Sequence, residues 1–175
     1  MTTRRIMTSG DGRSPAVTAI HQLFFLSELL APSRPLWIVS AWMSDIPVID
    51  NRGGELLSAA PGLPARELGI LELITELVGR GGHVRVVMRD EAHNSPVRTS
   101  LNELQARSTA GRFDVSTRRD LHDKILASER LVLDGSMNLT HHGTRRNEEG
   151  LRIVSDPNDV GIQRQELARR YGGDE

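Results

Sequence analysis

The chain contains no cysteine. That excludes a disulfide framework and any thiolate metal centre. Aromatic residues make up only 3% of its 175 residues, so the core has to be aliphatic. No long hydrophobic run is present. The greasiest segment, Leu23–Leu30, is interrupted by Ser27 and Glu28, and it falls far short of the roughly 20 apolar residues a membrane-spanning helix needs. Nor is there a secretory leader pattern: Arg4 and Arg5 are followed by Gly10-Asp11-Gly12-Arg13 and not by an apolar stretch. Charge of one sign is also missing, with 22 Lys and Arg against 23 Asp and Glu and a formal net charge of −1. The overall field therefore does not draw the protein to nucleic acid, and any such binding must come from local patches. The expectation is a cytoplasmic protein that does not engage a membrane, with no internal repeat and no linker.

An apolar share of 38% over this length is enough for one compact domain with a real core. Residues 1–13 are polar and expected to be a flexible N-terminus, with a single domain over 14–175. Ser14-Pro15 opens a helix that runs to about Leu30, where Pro32 and Pro35 stop it. Leu36–Trp42 is a nearly continuous apolar block with the length of a buried strand. Both Trp37 and Trp42 fall within it, so neither is expected to stack on bases. Residues 43–66 read as irregular: a long loop of this kind either lies at a binding site or is a surface excursion. Glu67–Arg80 has a helical apolar face, with Gly81-Gly82 available for a left-handed C-terminal cap. Val84–Met88 is a second buried strand, Asn94 caps a third helix, and Phe113, Val115 and Thr117 alternate as a third strand. Lys124–Ala127 and Leu131–Leu133 are two strands joined by Ser128-Glu129-Arg130. Leu151–Val154 is another strand, and Asp156-Pro157 opens the last helix. The expected fold class is α/β, with a mixed, largely parallel sheet flanked by helices.

Chemistry concentrates between Leu121 and Gly150. His122 and Lys124 lie two apart on an extended segment, which puts both on one face. Ser136 and Asn138 repeat that spacing after the next strand, and Gly135 allows a close backbone approach. Glu149 follows at the start of another strand. A histidine with one free ring nitrogen can attack phosphorus, and a carboxylate such as Glu149 can hold the other nitrogen and support the charge that develops. Lys124, Asn138 and Ser136 supply a cation, an amide donor and a hydroxyl for phosphoryl oxygens. This set calls for no metal and no cofactor.

These residues resemble the signature of the phospholipase D superfamily: His-x-Lys, four residues, Asp, six residues, Gly-Ser-x-Asn, and a later Glu. Here His122-Asp-Lys124 is followed after four residues by Glu129, and after five more by Gly135-Ser136-Met-Asn138, then Glu149. Glu stands for Asp, and one residue is missing before Gly135. The resemblance implies one half-domain of that fold. Two-motif members build one site from both halves, whereas short single-motif members, bacterial non-specific nucleases among them, dimerise so that two histidines meet. It therefore implies a homodimer in which one His122 forms a phosphohistidine and the partner's His122 acts as general acid and then base. Catalytic roles fall on His122, Lys124, Asn138 and Glu149. Substrate contacts fall on Ser136, Lys124, Asn138, Arg145 and Arg146, with DNA as the expected substrate. The chain is also similar to short phospholipase-D-like proteins of bacterial DNA-modification and defence clusters.

Two other function classes fit the same residues. One is a phospholipid or other phosphodiester hydrolase or transferase, and the other is a non-catalytic subunit that binds nucleic acid. His141 and His142 read as polar loop residues in preference to metal ligands, and His21, His83 and His93 have no partner pattern. Arg118-Arg119 and Arg145-Arg146 flank the motif and would give a basic groove, which Asp123, Asp134 and Glu148 would oppose.

Overall fold

A computed structural model of the chain describes residues 3–7, 15–57, 61–140 and 150–172. Its organising strand is β2 (Leu36–Ser40), every residue of which is buried. Leu36 and Ile38 face one apolar cluster, and Trp37 and Val39 face the other. A strand covered on both faces reads as a continuous apolar run, which is why it was legible in the sequence. β2 pairs in parallel with β5 (Val84–Arg89), and β5 in parallel with β6 (Phe113–Arg118). Helices α2 (Ile70–Gly79) and α3 (Ser95–Arg107) lie on the two connections. On the other side of β2 the chain turns antiparallel, through β7 (Lys124–Ala127), β8 (Val132–Gly135), β9 (Gly150–Val154) and β1 (Thr3–Met7). The seven-stranded order is β1-β9-β8-β7-β2-β5-β6. The mixed α/β sheet flanked by helices is thus as expected. Its parallel part is the trio β2, β5 and β6, because only there do helical crossovers join the strands.

Helix α1 (Pro15–Leu30) packs with α2 and α3 over one face, where Phe24, Phe25, Leu73, Ile74 and Leu101 meet the strands. The last helix, α4 (Pro157–Tyr171), covers the other face through Val160, Leu167 and Tyr171. It starts where Asp156 accepts from the amides of Asn158 and Asp159 at 3.1 and 3.3 Å, with proline next in line, so its start was readable from a local pattern. α2 ends as expected on Gly81 (φ +86°), with Gly82 N–H donating to Leu77 O at 2.9 Å.

Five expectations differ from the structure, each for a tertiary reason. Within the stretch 1–13, Thr3–Met7 form a strand paired over five residues with β9, whose backbone would otherwise be an open edge. Within 43–66, β3 (Pro47–Asp50) pairs with β4 (Glu67–Gly69), and buried Asn51 fastens the excursion by donating to Pro64 O at 2.9 Å and accepting from Leu56 N at 3.1 Å. β4 takes the first residues of the expected helix, so α2 begins at Ile70, whose amide bonds Ile46 O. Asn94 stands at the N-cap position of α3 as expected, but its side chain makes no capping bond. Its side chain is buried and reaches across the fold, accepting from Met43 N at 2.8 Å and donating to Ala41 O at 2.8 Å and Arg89 O at 2.7 Å. That clamp, with Ser40 Oγ donating to Trp42 O at 2.7 Å, ends β2 at Ser40. Trp42 therefore lies outside the strand to which the apolar run assigned it.

Candidate active site

The parallel strands β2, β5 and β6 end at the same edge of the sheet at which antiparallel β7 begins, β8 ends and β9 begins. Of the motif residues in the described part of the chain, His122, Lys124, Gly135, Ser136 and Asn138 sit on or just beyond that edge. In open α/β sheets, the carboxyl ends of parallel strands are where ligands collect. A cavity of about 700 Å³ opens there, lined among others by His122, Lys124, Ser136 and Asn138. These are residues from two chain segments 12 or more positions apart, and the β7–β8 hairpin brings them together.

Each side chain is held differently. His122 is exposed, just ahead of β7. The Lys124 ammonium folds back and donates to the main-chain carbonyl of His122, so the cation stays beside the histidine. Asn138 accepts from Trp42 N at 3.1 Å through its amide oxygen, which leaves its NH2 as the group to offer a ligand. Ser136 pairs with Gly150 twice: its amide donates to Gly150 O at 3.1 Å, and its hydroxyl accepts from Gly150 N at 3.0 Å. Gly135 is required by space. A Cβ there would lie 1.8 Å from Gly150 O.

Three further lining residues carry no motif signal: Arg152, Gln163 and Arg170. Arg152 stands opposite Asp134 in the β8–β9 register and bonds it at 2.8 Å. Arg170 pairs with Asp123 at 2.6 Å, and Tyr171 donates its hydroxyl to the same carboxylate at 2.7 Å. Burial, with that hydrogen bond, pushes the Tyr171 hydroxyl up to about 12. Two of the three acids that would oppose a basic groove, Asp123 and Asp134, are therefore paired with arginines, and among the described residues the cavity lining carries Lys124, Arg152 and Arg170 against those two carboxylates. A cross-strand charge pair could have flagged Arg152 once the register was known. Nothing local marks Arg170, which comes from the far end of α4.

Beneath the floor is a much smaller cavity of about 20 Å³, lined by His21 of α1 with Lys124, Gly135 and Met137. Burial lowers the His21 imidazole to about 4, so it is neutral at physiological pH. Glu129 lies at the opposite end of the hairpin, away from the cavity, where its carboxylate accepts from Arg34 N at 3.0 Å and its own amide donates to Ser33 Oγ at 2.8 Å. It fixes the turn and takes no part in the constellation. Arg118 and Arg119 are exposed at and just beyond the end of β6, with no carboxylate partner among the described residues. Glu149, Arg145, Arg146, His141, His142 and Glu148 lie outside the described residues. Among the described residues, no group of three His, Asp or Glu side chains is arranged to hold a metal ion.

A fold with one strand-ended edge, a single His-x-Lys and a Gly-Ser-x-Asn defines a class, and comparison supplies its name. Residues 53–171 match the family described as cardiolipin synthase, PLD-like domain, and the chain belongs to that phospholipase D-like family. Among solved structures it is similar to NucT from Helicobacter pylori, with a TM-score of 0.60 at 13% identity, over 96% of this chain and 95% of that one. It is also similar to Nuc, a phospholipase D family member from Salmonella typhimurium, with a TM-score of 0.56 at 17% identity, over 98% and 95%. A phosphatidylserine synthase from Haemophilus influenzae aligns with a TM-score of 0.63 at 15% identity, but this chain spans only 38% of it. No curated protein matches the chain. Among the described residues, no helix is long and apolar enough to cross a membrane.

Proposed function

We propose that this protein is a metal-independent phosphodiesterase, a DNA endonuclease, working through a phosphohistidine at a site shared between two copies of the chain. The observation that carries the reading is the convergence of His122, Lys124, Ser136 and Asn138 on one cavity at the sheet edge. A free ring nitrogen of His122 attacks phosphorus, forming an N–P bond as the P–O bond to the leaving oxygen breaks. The imidazolium of the partner's His122 gives that oxygen its proton. The same imidazole then takes a proton from water, whose oxygen attacks phosphorus and releases His122. Lys124 and the Asn138 NH2 balance charge on the non-bridging oxygens throughout. Glu149 is assigned to orient His122 on its residue type and spacing alone, and Arg145 and Arg146 to backbone phosphates on theirs.

The choice of nucleic acid is supported by the likeness to NucT and Nuc, each aligned over 95% or more of both chains, and by the cationic balance of the described lining residues. Another solved structure with this fold, an archaeal chromatin protein described as having a novel mode of DNA binding, aligns over 97% of this chain and 52% of its own with a TM-score of 0.54. The test is cleavage of single- and double-stranded DNA, RNA and a simple phosphodiester ester in EDTA, beside His122→Ala. Cleavage that persists in EDTA and disappears in the variant supports the proposal. Loss of cleavage in EDTA sinks the metal-free chemistry, and retention of DNA without cleavage points to a binding subunit.

A further inference from the structure

Six aromatic side chains are present, and five are buried: Phe24, Phe25, Trp37, Phe113 and Tyr171, none more than 8% exposed. The sixth, Trp42, is 47% exposed. A surface indole is unremarkable where the backbone is loose, but here the backbone is fixed on both sides. Ala41 and Met43 are buried. Asn94 holds Ala41 O and Met43 N, Arg89 N donates to Ala41 O at 3.3 Å, Ser40 holds Trp42 O, and Ser44 N donates to Leu139 O at 2.8 Å. The amide of Trp42 itself donates to Asn138 Oδ1. The half-exposed indole is thus carried by a rigid turn whose own amide is bonded to Asn138, the donor assigned to the phosphoryl oxygens.

From this geometry we infer that Trp42 is a stacking platform for an unpaired nucleobase next to the phosphate held at His122 and Asn138. A π-face fixed in place loses little freedom on stacking, and it accepts any base, which suits binding without sequence preference. A base inside a duplex has both faces covered, so the platform selects single-stranded or locally opened strands. The exposed Arg118 and Arg119 share the same sheet edge and offer charge to the phosphates of such a strand. The inference rests on the nucleic-acid reading above and narrows it to a strand form.

The test uses the full chain carrying His122→Ala, so that strands bind without being cut, with and without Trp42→Ala or Trp42→Phe. Probes are a 12-nucleotide oligothymidine and an abasic strand of equal length. Trp42→Ala is expected to weaken oligothymidine binding about ten-fold or more, Trp42→Phe to restore most of it, and the abasic strand to bind all three alike. Tryptophan emission should be quenched by oligothymidine in the protein with Trp42 and unchanged in Trp42→Ala, because Trp37 is buried. Equal weakening on both strands overturns the inference and leaves Trp42 as a support for Asn138. Unchanged binding of oligothymidine overturns it too, while leaving the nuclease reading intact. If the protein with Trp42 binds neither strand, the nucleic-acid reading itself fails. A dimer that becomes monomeric in Trp42→Ala, or an emission shift with anionic phospholipid vesicles but none with oligothymidine, would assign the indole to a second copy or to a lipid surface instead.

Discussion

Replacing Gly135 by alanine tests how closely β8 and β9 approach at the site. Gly135 does not adopt a left-handed backbone conformation, so the substitution brings no dihedral strain and the cost is one of space. The new Cβ would lie 1.8 Å from Gly150 O and 2.9 Å from its carbonyl carbon. Both are backbone atoms, so no side chain can rotate away. Reaching ordinary contact means parting the strands by about 1.5 Å. That breaks the Ser136 N to Gly150 O bond at 3.1 Å and the Gly150 N to Ser136 Oγ bond at 3.0 Å. Two such bonds contribute about 2 kcal/mol, and residual overpacking costs about 1 kcal/mol or more. At roughly 2–4 °C per kcal/mol for a chain of this size, the expected fall in Tm is about 6–12 °C. Differential scanning calorimetry measures it, with circular dichroism confirming a single transition. A Tm within about 2 °C of wild type would refute the argument, because it would mean that the backbones are not in contact there and that Ser136 is not placed by Gly150.

Three other outcomes follow from particular contacts. Arg130 donates to buried Glu28, and to Ser27 O at 3.2 Å and Ala31 O at 2.6 Å, so it both neutralises a buried carboxylate and closes the end of α1. Arg130→Ala should cost about 2–3 kcal/mol by urea denaturation. Burial raises the Glu28 carboxyl above its usual range, and a raised carboxylate contributes stability at low pH that is lost as pH rises through its folded value. The deficit of Arg130→Ala should therefore shrink in acid and grow towards neutral pH, and a deficit independent of pH would count against the burial argument. For His21, whose folded value is about 4 against an ordinary 6.5, the unfolded chain binds more protons between those limits. Stability from this group is present above 6.5 and lost as pH falls towards 4, so His21→Gln should show a shallower loss of Tm over that window. The shared site is checked by mixing: a growing excess of His122→Ala, refolded together with wild type, should suppress cleavage below simple dilution, whereas strict proportionality would argue for independent sites.

The strands and helices that could be read from the sequence were those whose reason is local or periodic. β2 announced itself because both its faces are buried, α4 because Asp156-Pro157 is a cap followed by a helix-compatible proline, and the end of α2 because glycine tolerates φ +86° at Gly81. The elements that were missed depend on partners distant in the chain. β1 exists because β9 has an edge to fill, and β3 exists because β4 lies against it. Asn94 looked like a cap because its sequence neighbours are helical, yet its hydrogen bonds go to Ala41, Met43 and Arg89.

At the site the division is similar. The sequence by itself determined the chemical inventory, because an extended segment alternates its side chains and because the order His122, Lys124, Gly135, Ser136, Asn138 is kept together by one hairpin. It also determined that the core would be aliphatic and that any positive groove would be local. Only the tertiary structure decided which charges surround that inventory. Arg152 arrives through the β8–β9 register and Arg170 through the packing of α4, and each silences an acid that the sequence alone left exposed. Only the tertiary structure, too, moved Trp42 from the core to the rim. The hydrophobic pattern records what a side chain is, and a buried asparagine 52 residues away decides where the strand ends.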